Sequence, residues 1–503
     1  MASDLVQNFH DFHFFTRNTL KRLEGISETS VLASELERVL DGVSSLQELW
    51  HYRHVFDRLD EGTVRASIRL ITARATLFVC AAQTGRAREL ISLLPPDSRC
   101  LAQAELLMPG LGWDEFLQHI KLMRERGWLP LEHLTITAGR PAVLNGRWDF
   151  FEQWPRMYAN ADETRCVLRD VLGEDADEVF AIAEVEALYQ HDRCYDALVK
   201  LVSTLPLLTD SRHNIDVLFP ALTFQIFILV INGQAPSTIP LMESLRAQTR
   251  RDGACEGWLP NIDALDAWAA MYDGDYARIT HWMQECAPDE YAEFCMLDTF
   301  RYMIKLRVYL IQGKHLAFIS LAARLMPLFE SGRRSVDICE LNMLWAISDL
   351  TRGDEESALS HALISIEIAE RCSIERVIAD EGERALTVLL LVKRRSGRTP
   401  FLTRLIQLTQ NVATLYPRYM KEQLPDNPSL SATEMNVLRL MADGRSNAEI
   451  AELMQVTVNT VKAHCKHIAV KLKTSNRQQA VRRAIELGLI RPPYDGNSDI
   501  PSL

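Results

Sequence analysis

The feature that most restricts this chain is a spacing. The segments LYQHDRCYDAL (188–198), MYDGDYARI (271–279), LIQGKHLAFI (310–319) and LTRGDEESAL (350–359) resemble one another, and LVINGQAPSTI (229–239) follows the same outline. Aligned on His191, Gly233, Gly274, Gly313 and Gly353, they stand 42, 41, 39 and 40 residues apart. Each reads as an apolar helix, a tight turn and a second apolar helix. Glycine at the turn suits a helix end that needs positive φ. One hairpin of this kind cannot bury its apolar side alone, so neighbours must stack. Weaker copies sit around Gly85 and Gly146. Sustained period-2 alternation is scarce, which argues against a Rossmann or receiver domain. The expected fold class is all-α: a TPR-like helical-hairpin superhelix over 1–415, with an internal break near 160–178, followed by a small helical domain.

The chain has 503 residues, too many for one core. The longest apolar run, ALTFQIFILVI at 221–231, is about half of what a bilayer requires, so a buried helix is expected there. The start, MASDLVQNFHDFHFF, lacks the basic region of a secretory signal. A cytoplasmic protein without membrane attachment is expected. The ten cysteines form no C-x-x-C pair, which points to reduced, buried thiols.

Pro417, Pro425 and Pro428 interrupt helix formation in YPRYMKEQLPDNPS, marking a linker over 416–429. A module at 430–491 and a polar tail at 492–503 follow. Between 431 and 491, ten basic side chains face five acidic ones, a balance of +5. The whole chain carries −12, so −17 falls on the rest. A basic module is tethered to an acidic body.

Helix boundaries in the module are well marked. Ser431, Ser446 and Ser475 each begin a capping-box pattern, and Thr457 suits an N-cap. Four helices are expected, near 432–442, 447–454, 458–472 and 476–487. The short link between the second and third predicts a helix-turn-helix. Winding the third helix puts Val461, Cys465, Ile468 and Leu472 on the core side. The other side presents Asn459, Lys462, Lys466 and Lys473, with Ala463 among them and no acid. Such a face suits phosphates and guanine edges.

From Leu430 to about Ile490 the sequence closely resembles the LuxR-type DNA-binding domain. The matching landmarks are Glu434, Leu438, Gly444, the Ser446–Ala451 block, Thr460, Val461, Lys462, His464, Lys471, Leu472, Arg477 and Ala480. The resemblance implies that the third helix enters the major groove. Lys462, Ala463 and Lys466 then face bases, and Thr460 and its neighbours lie on phosphate. The full set expected at DNA is Asn459, Thr460, Lys462, Ala463, His464, Lys466, His467 and Lys473. The last helix corresponds to the family's dimerisation helix, with Val481, Ala484 and Ile485 as contacts. A helical-repeat body before such a module also resembles the MalT-like regulators, which sense an inducer. Their nucleotide module has no counterpart, since no G-x-x-x-x-G-K-[ST] occurs.

His10-x-x-His13 and His51-x-x-His54 could pair imidazoles on a helix face, but no third ligand is evident and no metal or other cofactor is expected. The aromatics Phe12, Phe14 and Phe15, and Trp148, Phe150, Phe151 and Trp154, suit either core packing or a ligand pocket. No catalytic motif is present, so no enzyme is expected. The expected function is transcription regulation. A homodimer binds double-stranded DNA, and the helical body senses a small-molecule inducer or a protein partner. The alternative is a protein-interaction scaffold tethered to DNA.

Overall fold

A computed structural model describes residues 19–43, 46–108, 112–129, 150–209, 215–251, 258–415, 430, 432–454, 456–472, 474–486 and 490. The described residues form helices and no strand. The linker over 416–429, the tail over 492–503, Gly146, Trp148, His10 and His13 lie outside them.

The repeats are helical hairpins. Their first helices are Ala176–Gln190, Ile215–Ile231, Leu259–Asp273, Thr299–Ile311 and Ser335–Thr351. These are buried nearly all round. Ala176–Gln190, for example, buries Val179, Phe180 and Val185 on different sides. A helix without a polar face must be enclosed by others. The second helices, such as Tyr276–Glu285, bury only one stripe, here Ile279, Thr280 and Trp282. Alternating enclosed and one-sided helices stack into a TPR-like array, and one apolar core runs from Ala102 to Ile406.

Four turn glycines adopt positive φ: Gly233 (73°), Gly274 (77°), Gly313 (69°) and Gly353 (84°). In the hairpin that lacks glycine, the left-handed residue is Asp192 (φ 58°), while His191 remains right-handed (φ −82°). The repeat is therefore in register on Asp192 rather than His191. Upstream, Ala82 (φ 57°) makes the turn, and Gly85 lies inside helix Thr84–Ile91.

The break expected near 160–178 does not divide the core. Val167, Leu168, Val171, Val179 and Phe180 all belong to the main cluster. A separate cluster lies earlier, from Leu23 to Leu77, around Tyr52 and Phe56. Phe150, Phe151 and Trp154 fill the main core, with ring centroids 4.4 Å apart for the two phenylalanines. Cys80, Cys295, Cys339 and Cys372 are buried, whereas Cys166 is exposed.

The residues leading into helix Gly382–Ser396 turn inward across the array. Tyr189 donates its hydroxyl to Asp380 Oδ2 at 2.6 Å, and Tyr272 donates to the Asp380 carbonyl at 2.8 Å. Val377 N–H donates to Gln190 Oε1 at 3.1 Å, and Arg376 bridges Asp192 and Asp380 at 3.3 and 2.9 Å. Arg307 is held between Glu340 and Glu381. Hairpins far apart in sequence are thus tied through residues 376–381. Beside them lies a small cleft of about 20 Å³, lined by Trp268, Met271, Tyr272, Arg307, Glu381 and Arg384 among others.

Candidate nucleic-acid interface

The carboxy-terminal unit comprises helices Ala432–Ala442, Asn447–Leu453, Val458–Lys471 and Arg477–Glu486. Gly444 ends the first with φ 77°. Ser446 begins the second. Its hydroxyl accepts from Glu449 N–H at 3.3 Å, and its own N–H donates to Glu449 Oε2 at 2.7 Å. That backbone donor holds the Glu449 carboxyl below its usual value. Thr457 caps the third helix by accepting from Thr460 N–H at 3.2 Å. Ser431 lies outside the described residues.

The fourth cap differs by one residue from the expected Ser475. Gln479 N–H donates to Asn476 Oδ1 at 2.8 Å, while the Ser475 hydroxyl donates to Gln479 Oε1 at 2.7 Å. Asn476 is the cap because the helix starts at Arg477.

Val461 and Ile468 are fully buried, and Leu472 nearly so. They pack with Val437, Leu438, Met441, Ile450 and Ala451. Cys465 sits at the edge, its Sγ 3.7 Å from Met441 Sδ. This packing fixes the rotation of helix Val458–Lys471. Asn459, Lys462, Ala463, Lys466 and His467 are exposed, and Thr460 and His464 are half-buried. The Thr460 hydroxyl is engaged with that of Thr457 at 2.9 Å. Lys473 lies outside the described residues.

Two family landmarks prove to be internal struts. Lys471 donates from Nζ to Glu434 Oε2 at 2.7 Å, joining the third helix to the first. The Glu434 carboxylate is buried, so this lysine is not part of the open basic face. Arg477 donates from Nη1 to Asn447 Oδ1 at 3.0 Å and from Nη2 to the carbonyl of Met441 at 3.4 Å. No local spacing marks residues 434 and 471 as a pair, so sequence reading could not find this role. Glu434→Ala is expected to lower the unit's stability by about 1–3 kcal/mol by stranding a charge-assisted bond. Glu434→Gln, which keeps an acceptor, should lose less. Hydrogen exchange of the 432–442 and 458–471 amides checks this, and unchanged protection in Glu434→Ala would remove the strut role.

On the last helix, Ala480 and Ala484 are enclosed in the unit's own core. Ala484 therefore cannot meet a second copy, contrary to expectation. The i, i+4 spacing places it under Ala480 on the inward side. Val481 is half-buried on the adjoining side. The Ile485 side chain lies outside the described residues.

His51 and His54 do not share a helix. The first ends helix Leu46–His51, and the second belongs to Arg53–Phe56 beyond a bend at Tyr52. Among the described residues no cluster of three or more His, Cys, Asp or Glu could hold a metal. No described helix is long and apolar enough to cross a membrane.

Residues 428–484 match the family model described as bacterial regulatory proteins, luxR family. The transcriptional activator protein EsaR of Pantoea stewartii is 30% identical over 152 residues, covering 30% of this chain and 51% of that protein. The response regulator protein VraR of Staphylococcus saprophyticus is 40% identical over 72 residues, covering 14% of this chain and 34% of that protein. VraR of Staphylococcus aureus shows the same identity and coverage. The chain thus spans about half or less of the length of these relatives. The match falls on the four-helix unit just described, and residues 428–484 are a LuxR-type helix-turn-helix domain.

Proposed function

We propose that the protein is a cytoplasmic transcription regulator that binds double-stranded DNA as a homodimer on paired half-sites. The observation that carries this reading is the acid-free, exposed face of helix Val458–Lys471, held outward by the buried Val461 and Ile468. Lys462, Ala463 and Lys466 face base edges in this reading. Asn459, Thr460, His464, His467 and Lys473 lie toward the backbone. The resemblance of a helical-repeat body before such a domain to the MalT-like regulators supports the second half of the proposal: the array takes up a small-molecule or protein signal and controls the DNA-binding domain.

The test is Lys466→Ala, titrated on a duplex that the wild-type chain selects from random sequence, across a range of salt. A loss of about 1–3 kcal/mol confined to the selected duplex means that Lys466 reads a base. A similar loss on every duplex, with the salt slope shallower by about one unit, means that it touches phosphate. Unchanged affinity and slope would reject this helix face as the DNA surface.

A further inference from the structure

The DNA-binding domain has a partner within its own chain. Helix Tyr276–Glu285, the outer helix of one array hairpin, lies against helix Arg477–Glu486. Tyr276 joins the apolar cluster of the DNA-binding domain, which also includes Val481. It stands at the start of its helix, directly after the turn formed by Gly274 and Asp275. The helix it meets carries Arg482 and Arg483. An aromatic side chain of the array therefore meets a helix that carries two guanidinium groups, and the Arg483 charge reaches it. Aromatic and arginine side chains are the usual energetic centres of such contacts. Burial pushes the Tyr276 phenol upward, opposed by the nearby Thr280 and Gln312 side chains and by the Arg483 charge, so the half-buried ring is electrically coupled to the domain.

The contact is selective. It involves the last helix, while Lys462, Lys466 and His467 remain exposed. We propose that the array docks the DNA-binding domain through Tyr276 on its last helix, and so withholds that helix from a second copy of the chain. The device rests on the reading of the domain as a DNA binder that works as a dimer. It restrains pairing rather than contact with DNA: a docked chain keeps its basic face open but cannot place two domains on paired half-sites. A signal that shifts the hairpin bearing Tyr276 would free the last helix.

The experiment uses the full chain. Tyr276→Ala removes the ring from the array side, and Arg483→Glu reverses the charge that acts on the ring from the domain side. Both should strengthen self-association by about tenfold in sedimentation velocity, the scale of losing one such contact. Both should also speed amide exchange across 276–285. Binding of one chain to a short duplex too small for two domains should stay unchanged in Tyr276→Ala. If Tyr276→Ala also loosens 259–273, the array itself is disturbed, and Arg483→Glu alone decides. Unchanged association and exchange in the deciding variant overturn the proposal, as does tighter binding to the short duplex. Absence of any duplex binding by the wild-type chain at low salt would overturn the DNA reading instead, while exchange across 276–285 still judges the contact.

Discussion

Arg307→Met is expected to destabilise the array by about 3–5 kcal/mol, the loss typical of removing one partner from a buried ion pair. Arg307 donates from Nε to Glu381 Oε1 at 3.0 Å, from Nη2 to Glu340 Oε1 at 2.6 Å, and from Nη1 to the Met303 carbonyl at 3.2 Å. Burial works against its charge, and Glu381 and Glu340 overcome that, so the guanidinium is held above its ordinary value. Methionine fills the space but leaves two buried carboxylates without their cation. The loss should depend on pH. Burial already raises the Glu381 carboxyl, and Arg307 pulls it back down. Without Arg307 its folded-state value rises further. A carboxyl raised on folding favours the folded state when protonated, and that contribution fades as pH climbs through the folded value. The variant should therefore lie closer to wild type at pH 5 than at pH 8. Thermal and urea midpoints at the two pH values test this, and an equal gap at both would remove the two carboxylates as its cause.

Ile468→Ala is expected to abolish DNA binding without touching the DNA face. The side chain is fully buried between the helices of the DNA-binding domain. Truncation of such a residue costs about 2–5 kcal/mol. A domain of about 60 residues has only about 3–9 kcal/mol in total. The unit should therefore lose its fold, or most of its margin, while the array keeps its own transition. Calorimetry should show the main transition in place and the domain's signal lost or moved to lower temperature. Retained binding to the selected duplex with an unshifted domain transition would mean that this core is not what orients the basic face.

Much of this architecture was legible because its causes are local. The hairpins announce themselves through helical spacing and turn glycines, both set within a few residues. Where glycine is missing, the mark is weaker, so the first turn falls on Asp192 rather than His191. Ser446 and Thr457 were readable for the same reason, since a cap and its amide are three residues apart. Ser475 and Asn476 are both good caps, and only the start of the helix at Arg477 selects between them.

The inward turn of residues 376–381 was not legible. Tyr189 and Asp380 stand 191 positions apart, and neither carries a local sign of the other. The same holds for Glu434 and Lys471, which on spacing alone read as one acid and one lysine of a basic helix. The dimerisation set failed at Ala484 because helical periodicity identifies two possible faces without saying which the neighbouring helices cover.

The sequence by itself determined that this chain builds stacked helical hairpins and ends in a basic helix-turn-helix unit. Periodicity, turns and caps are properties of adjacent residues and need no distant partner. Only the tertiary structure decided which charges are enclosed, which lysine is a strut, and that the last helix lies against the helix of Tyr276. Those outcomes depend on how the hairpins stack, and stacking brings together groups that no short stretch of chain can relate.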